Sequence, residues 1–162
     1  MHSNQSSFFI RLGFGLSLFM SALTGFAQMP IFKRYYIADL PGLGWLAQFY
    51  TTYWLHYVSA IAFLAIAAYL MADYFLLKRK SKRITIFGYV RGIMLLLILA
   101  TGALLVYRNL PGYRFSPNLV VALNFSHLGL VVLFLMTSLT AKLMKRSWTV
   151  ELPVTSSNGS PA

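Results

Sequence analysis

The chain has no cysteine, and only three of its 162 residues, Asp39, Asp73 and Glu151, carry a carboxylate. Without cysteine, this chain holds no disulfide, no Cys-ligated iron–sulfur cluster, no c-type haem attachment and no catalytic thiol. Charge is scarce altogether. Charged residues make up 10% of the chain, against about 25% in soluble domains. What is present instead is apolar: 58% of residues are hydrophobic, and the mean hydropathy is +0.66. A soluble domain this short has too little interior to hide so much apolar surface. The bilayer must therefore serve as solvent for much of it.

The net charge of +11 raises the question of nucleic acid, but the placement of the basic residues excludes it as a partner. Five of the fourteen fall in one run, Lys78-Arg79-Lys80-Ser81-Lys82-Arg83, between two apolar stretches. Such a run marks a cytoplasmic loop, where Lys and Arg accumulate.

Four apolar stretches are long enough to span a hydrocarbon core of about 30 Å as helices. They are expected over residues 8–29, 52–77, 85–107 and 119–143, within a single domain covering 1–150. Pro30 is expected to end the first, and Ser116-Pro117 reads as N-cap and first-turn proline of the fourth. Strands are not expected, because the stretches lack period-2 alternation and four strands cannot close a barrel. The fold class predicted is an all-α integral membrane four-helix bundle. The loop before residue 52 is long and aromatic, and residues 43–51 are read as an outward extension of helix two or an interfacial helix. The polar segment 151–162 is expected to be a disordered tail.

Orientation follows from loop charge. The 78–83 loop and the C-terminal flank Lys142, Lys145 and Arg146 fall on one side. Lys33, Arg34, Arg108 and Arg114 fall on the other. Eight basic residues against four put the first side, with both termini, in the cytoplasm. A bacterial inner (cytoplasmic) membrane is the expected location. Residues 1–27 also read as a secretory signal, with Arg11, an apolar run and the small residues Gly25 and Ala27 before a cut. The basic region is thin for a signal, so span one is expected to remain; were it cut, the orientation would not change.

Two of the three histidines, His56 and His127, lie inside spans two and four, where ionisable side chains are rare and usually face the bundle interior. Both spans start on the outer side, so the two imidazoles are expected at similar depth. Two imidazoles on alternate helices, with no carboxylate near them in sequence, suit a bis-histidine b-type haem. Zinc is a poorer match, since it takes three or four ligands. The competing reading is that each histidine only makes an interhelical hydrogen bond. Gly25 and Gly102 close spans one and three near the same depth and are read as making room for the cofactor. Glycine also serves close helix packing without one. Arg108 is the expected propionate partner, with a plain interfacial arginine as its alternative. Asp73 and Arg91 flank the cytoplasmic loop and are expected to form an ion pair, with a quinone or proton site as the functional alternative.

A weak internal repeat runs through these residues. Thr24-Gly25 precedes His56 as Thr101-Gly102 precedes His127, so the chain reads as two similar helical hairpins. With Leu55-His56 and Ser126-His127, these motifs resemble the b-type cytochrome (gamma) subunits of membrane-bound formate dehydrogenases and nickel-iron hydrogenases. Those subunits belong to the wider bacterial cytochrome b561-like group. The resemblance covers residues 8–146. It implies a four-helix bundle passing electrons between a periplasmic iron–sulfur or multihaem cytochrome subunit and the quinone pool. That family carries two haems, with a histidine in helix one and a second in helix four. Here helix one has none and helix four has one, so one haem b is implied, ligated by His56 and His127. The chain is then an electron-transfer subunit of an oxidoreductase. A haem-free structural or assembly subunit is the alternative. A transporter is disfavoured, as only Asp73 offers a carboxylate in a span and no span is broken by proline.

Overall fold

The computed structural model describes residues 2–29 and 31–152. Among them lie five α-helices: α1 (His2–Ala27), α2 (Ile31–Arg34), α3 (Phe49–Asp73), α4 (Ile86–Tyr107) and α5 (Pro117–Leu143). Four stretches, Phe8–Ala27, Phe49–Lys78, Ile86–Tyr107 and Pro117–Leu143, are helical, long and apolar enough to cross a membrane. The chain is an all-α, multi-pass membrane protein of the fold class expected. Pro30 and the tail from residue 153 lie outside the described residues.

Helix ends follow local chemistry. Ser116 caps α5 by accepting from the Leu119 amide (3.4 Å), and Pro117 occupies the first turn, as the sequence predicts. Thr85 caps α4 by accepting from the Gly88 amide at 3.0 Å. Helix α3 starts at Phe49, before the expected span, and ends in a widened π-type turn, Tyr74–Lys78. The added residues, Phe49, Tyr50 and Thr51, fall within the segment 43–51 read as an outward extension of this helix or an interfacial helix.

The contacts of the chain fall into two compact units, residues 1–78 and 79–162. Each is an antiparallel helical hairpin. In the first, α1 packs on α3. The Phe14 and Phe63 rings lie 5.0 Å apart between centroids, and Ser21 Oγ donates to Ser59 Oγ at 3.1 Å. Ile66 Cδ1 comes within 3.3 Å of where a Cβ on Gly13 would stand, so a larger residue there would push the helices apart. The loop between α1 and α3 folds through α2 and two 3₁₀ turns, Ile37–Asp39 and Gly44–Ala47, with Ala38 and Leu46 buried beneath it.

In the second hairpin α4 packs on α5, with Phe134 and Ala141 fully or nearly fully buried. Two short strands were not expected. They are β1 (Lys82–Ile84) and β2 (Thr149–Glu151), paired antiparallel with Lys82 opposite Glu151. Lys145 adopts φ +54°, and the Arg146 amide donates to Ala141 O at 2.7 Å. This turn sends the chain back across the start of α4, where the Leu152 amide donates to Ser81 O at 2.9 Å. Three-residue strands are too short to carry a recognisable alternation, so they leave no pattern in the sequence.

Candidate functional site

Inside each hairpin, one histidine is held by the opposite helix in nearly the same way. Consider the first hairpin. The Thr24 side chain is fully buried, and its hydroxyl donates to Met20 O at 2.6 Å, one turn back on α1. In lipid, where no water competes, a threonine satisfies its proton on its own helix in this way. With that proton engaged, Oγ1 is left to accept. Nδ1 of His56 reaches it at 3.3 Å and Ser21 O at 2.9 Å. A carbonyl only accepts, so Nδ1 carries the ring proton. In that tautomer Nε2 holds the lone pair.

Hairpin two repeats the device. Thr101 Oγ1 donates to Leu97 O at 2.9 Å, one turn back on α4. His127 Nδ1 lies 2.9 Å from the same oxygen, and the threonine's commitment to Leu97 makes Nδ1 the donor.

The glycines next to these threonines lie under the imidazoles. A Cβ built on Gly25 would stand 3.2 Å from His56 Cε1, and one on Gly102 would stand 3.2 Å from His127 Cε1. The room they make in each hairpin is taken by the histidine ring, so their immediate role is to let an imidazole lie flat against a helix. His56 stands seven residues into α3 and His127 ten into α5, about 10 and 15 Å along their helices.

Arg108 is the C-cap residue of α4, half-buried, and its Nε donates to Asn109 Oδ1 at 3.3 Å. It lies six residues beyond Gly102, about 9 Å along the helix axis. Near it, the Tyr107 and Tyr113 rings pack at 4.2 Å between centroids. In the first hairpin, the Tyr53 and Tyr57 hydroxyls share a hydrogen bond of 2.9 Å.

Asp73 and Arg91 have partners of their own. The Asp73 carboxylate pairs with Lys78 Nζ. Arg91 Nε donates to Phe87 O at 3.1 Å, and its guanidinium carbon lies 4.1 Å above the centre of the Trp148 ring. The sequence does not show this contact, because Trp148 lies past span four, in a flank for which no element is expected. Nor does it show that Thr24 and Thr101 hold the histidines, although the Thr-Gly repeat marks both positions.

Among the described residues, no three His, Cys, Asp or Glu side chains come together. No protein family matches the chain, and neither does any curated protein or solved structure.

Proposed function

We propose that this chain is a membrane b-type cytochrome subunit that binds one haem through His56 and His127 and relays single electrons. Its exchange partners are a periplasmic iron–sulfur or multihaem cytochrome subunit and the quinone pool. The observation that carries the reading is the repeated hold on the two histidines. In each hairpin the opposite helix takes the Nδ1 proton and keeps Nε2 as the lone-pair nitrogen. That is the state an axial ligand needs, and a hydrogen bond at the second nitrogen raises ligand basicity and fixes ring orientation. The donor set also fits the group: haem brings four nitrogens and asks the protein for two. When bound, the haem supplies the one-electron redox chemistry. The chain's residues orient the two rings, exclude water with apolar helices, and offer the Arg108 guanidinium to a propionate. The membrane is read as the bacterial inner membrane, with both termini cytoplasmic.

A second reading is favoured by the same bonds. A histidine that donates to a neighbouring helix also ties that helix down, so a haem-free structural subunit would use His56 and His127 as interhelical clamps. Reduced-minus-oxidised spectra of the detergent-purified chain, expressed with adequate haem, separate the two. The cytochrome reading expects b-type bands in the parent and none in His56→Ala or His127→Ala. A parent without bands would leave the clamp reading standing.

A further inference from the structure

Arg91 is a cation inside a span that the haem reading leaves unused. It is 5% exposed. Its Nε is satisfied by Phe87 O, one turn towards the start of α4, so the side chain runs back along the helix to the membrane–water boundary, as arginines near helix ends do. One face of the guanidinium is covered by Trp148. Yet Nη2 is buried without a hydrogen-bond partner among the described residues. A guanidinium is always charged and only donates, so a buried N–H of this kind calls for an acceptor oxygen.

Hairpin two has little to give. Its residues 79–162 include one carboxylate, Glu151, against ten Lys and Arg, and Glu151 faces Lys82 at 3.4 Å. Around the same end of the hairpin stand Lys82, Arg83, Lys142, Lys145 and Arg146. The unmet need is therefore for an anion, at the depth where lipid phosphates sit, in a basic surround, and beside an N-terminal helix end whose dipole favours negative charge.

We propose that Arg91 anchors a binding site for the phosphate of an acidic phospholipid, with Trp148 as its movable cover. Nη2 donates to a phosphate oxygen while Nε keeps Phe87 O. Trp148 is itself 37% exposed, and its backbone carbonyl stays bound to the Thr85 amide, so the ring shifts aside by turning about its own side-chain bonds when a headgroup arrives.

Trp148 supplies the readout. The chain has three tryptophans, Trp45, Trp54 and Trp148, and the double variant W45F/W54F leaves Trp148 as the sole reporter. In detergent micelles, titration with phosphatidylglycerol should change its emission saturably, at about tenfold lower concentration than phosphatidylcholine. Native mass spectrometry should show one retained phosphatidylglycerol per chain. Arg91→Gln should abolish the preference, while the rim variant R83Q/R146Q should keep it. Equal response to the two lipids, or a preference that survives R91Q, would overturn the proposal. If inorganic phosphate alone saturates the response and phosphatidylglycerol adds nothing, the lipid assignment is wrong. Should R91Q lose its helical circular dichroism, Arg91→Lys carries the test. Lysine keeps the charge but neither the fork nor the flat face, so binding should weaken about tenfold; undiminished binding would refute the site.

Discussion

The Thr101 hydroxyl holds His127 Nδ1, as the Thr24 hydroxyl, beside Ser21 O, holds His56 Nδ1. Thr101→Val removes the hydroxyl that accepts from His127. Loss of a partner behind a metal-bound histidine typically weakens the metal about 10-fold or more. Under the cytochrome reading, haem retention against a competing apo-haem acceptor should fall on the order of tenfold in T101V. Unchanged retention would mean that the hydroxyl acts by packing alone. The glycines predict a contrast. A Cβ on Gly102 meets the imidazole, but one on Gly92 meets nothing within 4 Å. Gly102→Val should displace His127 and lower the thermal midpoint in detergent. Gly92→Ala should be neutral or raise it, since alanine gains up to about 1 kcal/mol over glycine in a helix.

The elements hold together at their ends as much as along their faces. The start of α4 is built against the segment after α5. The Thr85 hydroxyl donates to Ser147 O at 2.7 Å, the Thr85 amide donates to Trp148 O at 3.0 Å, and a Cβ on Gly88 would collide with Trp148 O. Gly88→Ala should thus lift β2 off β1 at a cost of about 1–3 kcal/mol. Limited proteolysis should then cut between residues 144 and 152 faster than in the parent, while a G88A chain cut at the parental rate would show that the segment is not held there. Much of this architecture was legible in the sequence. The expected start of span three lies one residue from that of α4, and the end of span four coincides with that of α5, because apolar length is what a bilayer demands of a helix. Other parts were not legible. Lys145 with φ +54° sends the chain back on itself, and no residue type announces it. The Arg91–Trp148 contact then depends on that turn. At the histidines, residue type and spacing revealed the Thr-Gly repeat, but not that each glycine lies under its own hairpin's imidazole.

At the scale of the molecule, the chain is two hairpins that each carry one histidine in the same setting. In the first hairpin, α1 supplies Thr24 Oγ1 and Ser21 O as polar partners of the His56 ring. The charge asymmetry adds a topology prediction. Alkaline phosphatase fused after Asn109 should be active, and the same enzyme fused after Arg83 or Met144 should be inactive; the reverse pattern would invert the orientation. The central claim, one iron between two imidazoles, is tested most directly by low-temperature electron paramagnetic resonance of the oxidised protein, with haem counted per chain by pyridine haemochrome. The account predicts one haem per chain and a low-spin ferric signal of the bis-imidazole type, lost in both His56→Ala and His127→Ala. A high-spin signal, or a low-spin signal that survives either substitution, would contradict it.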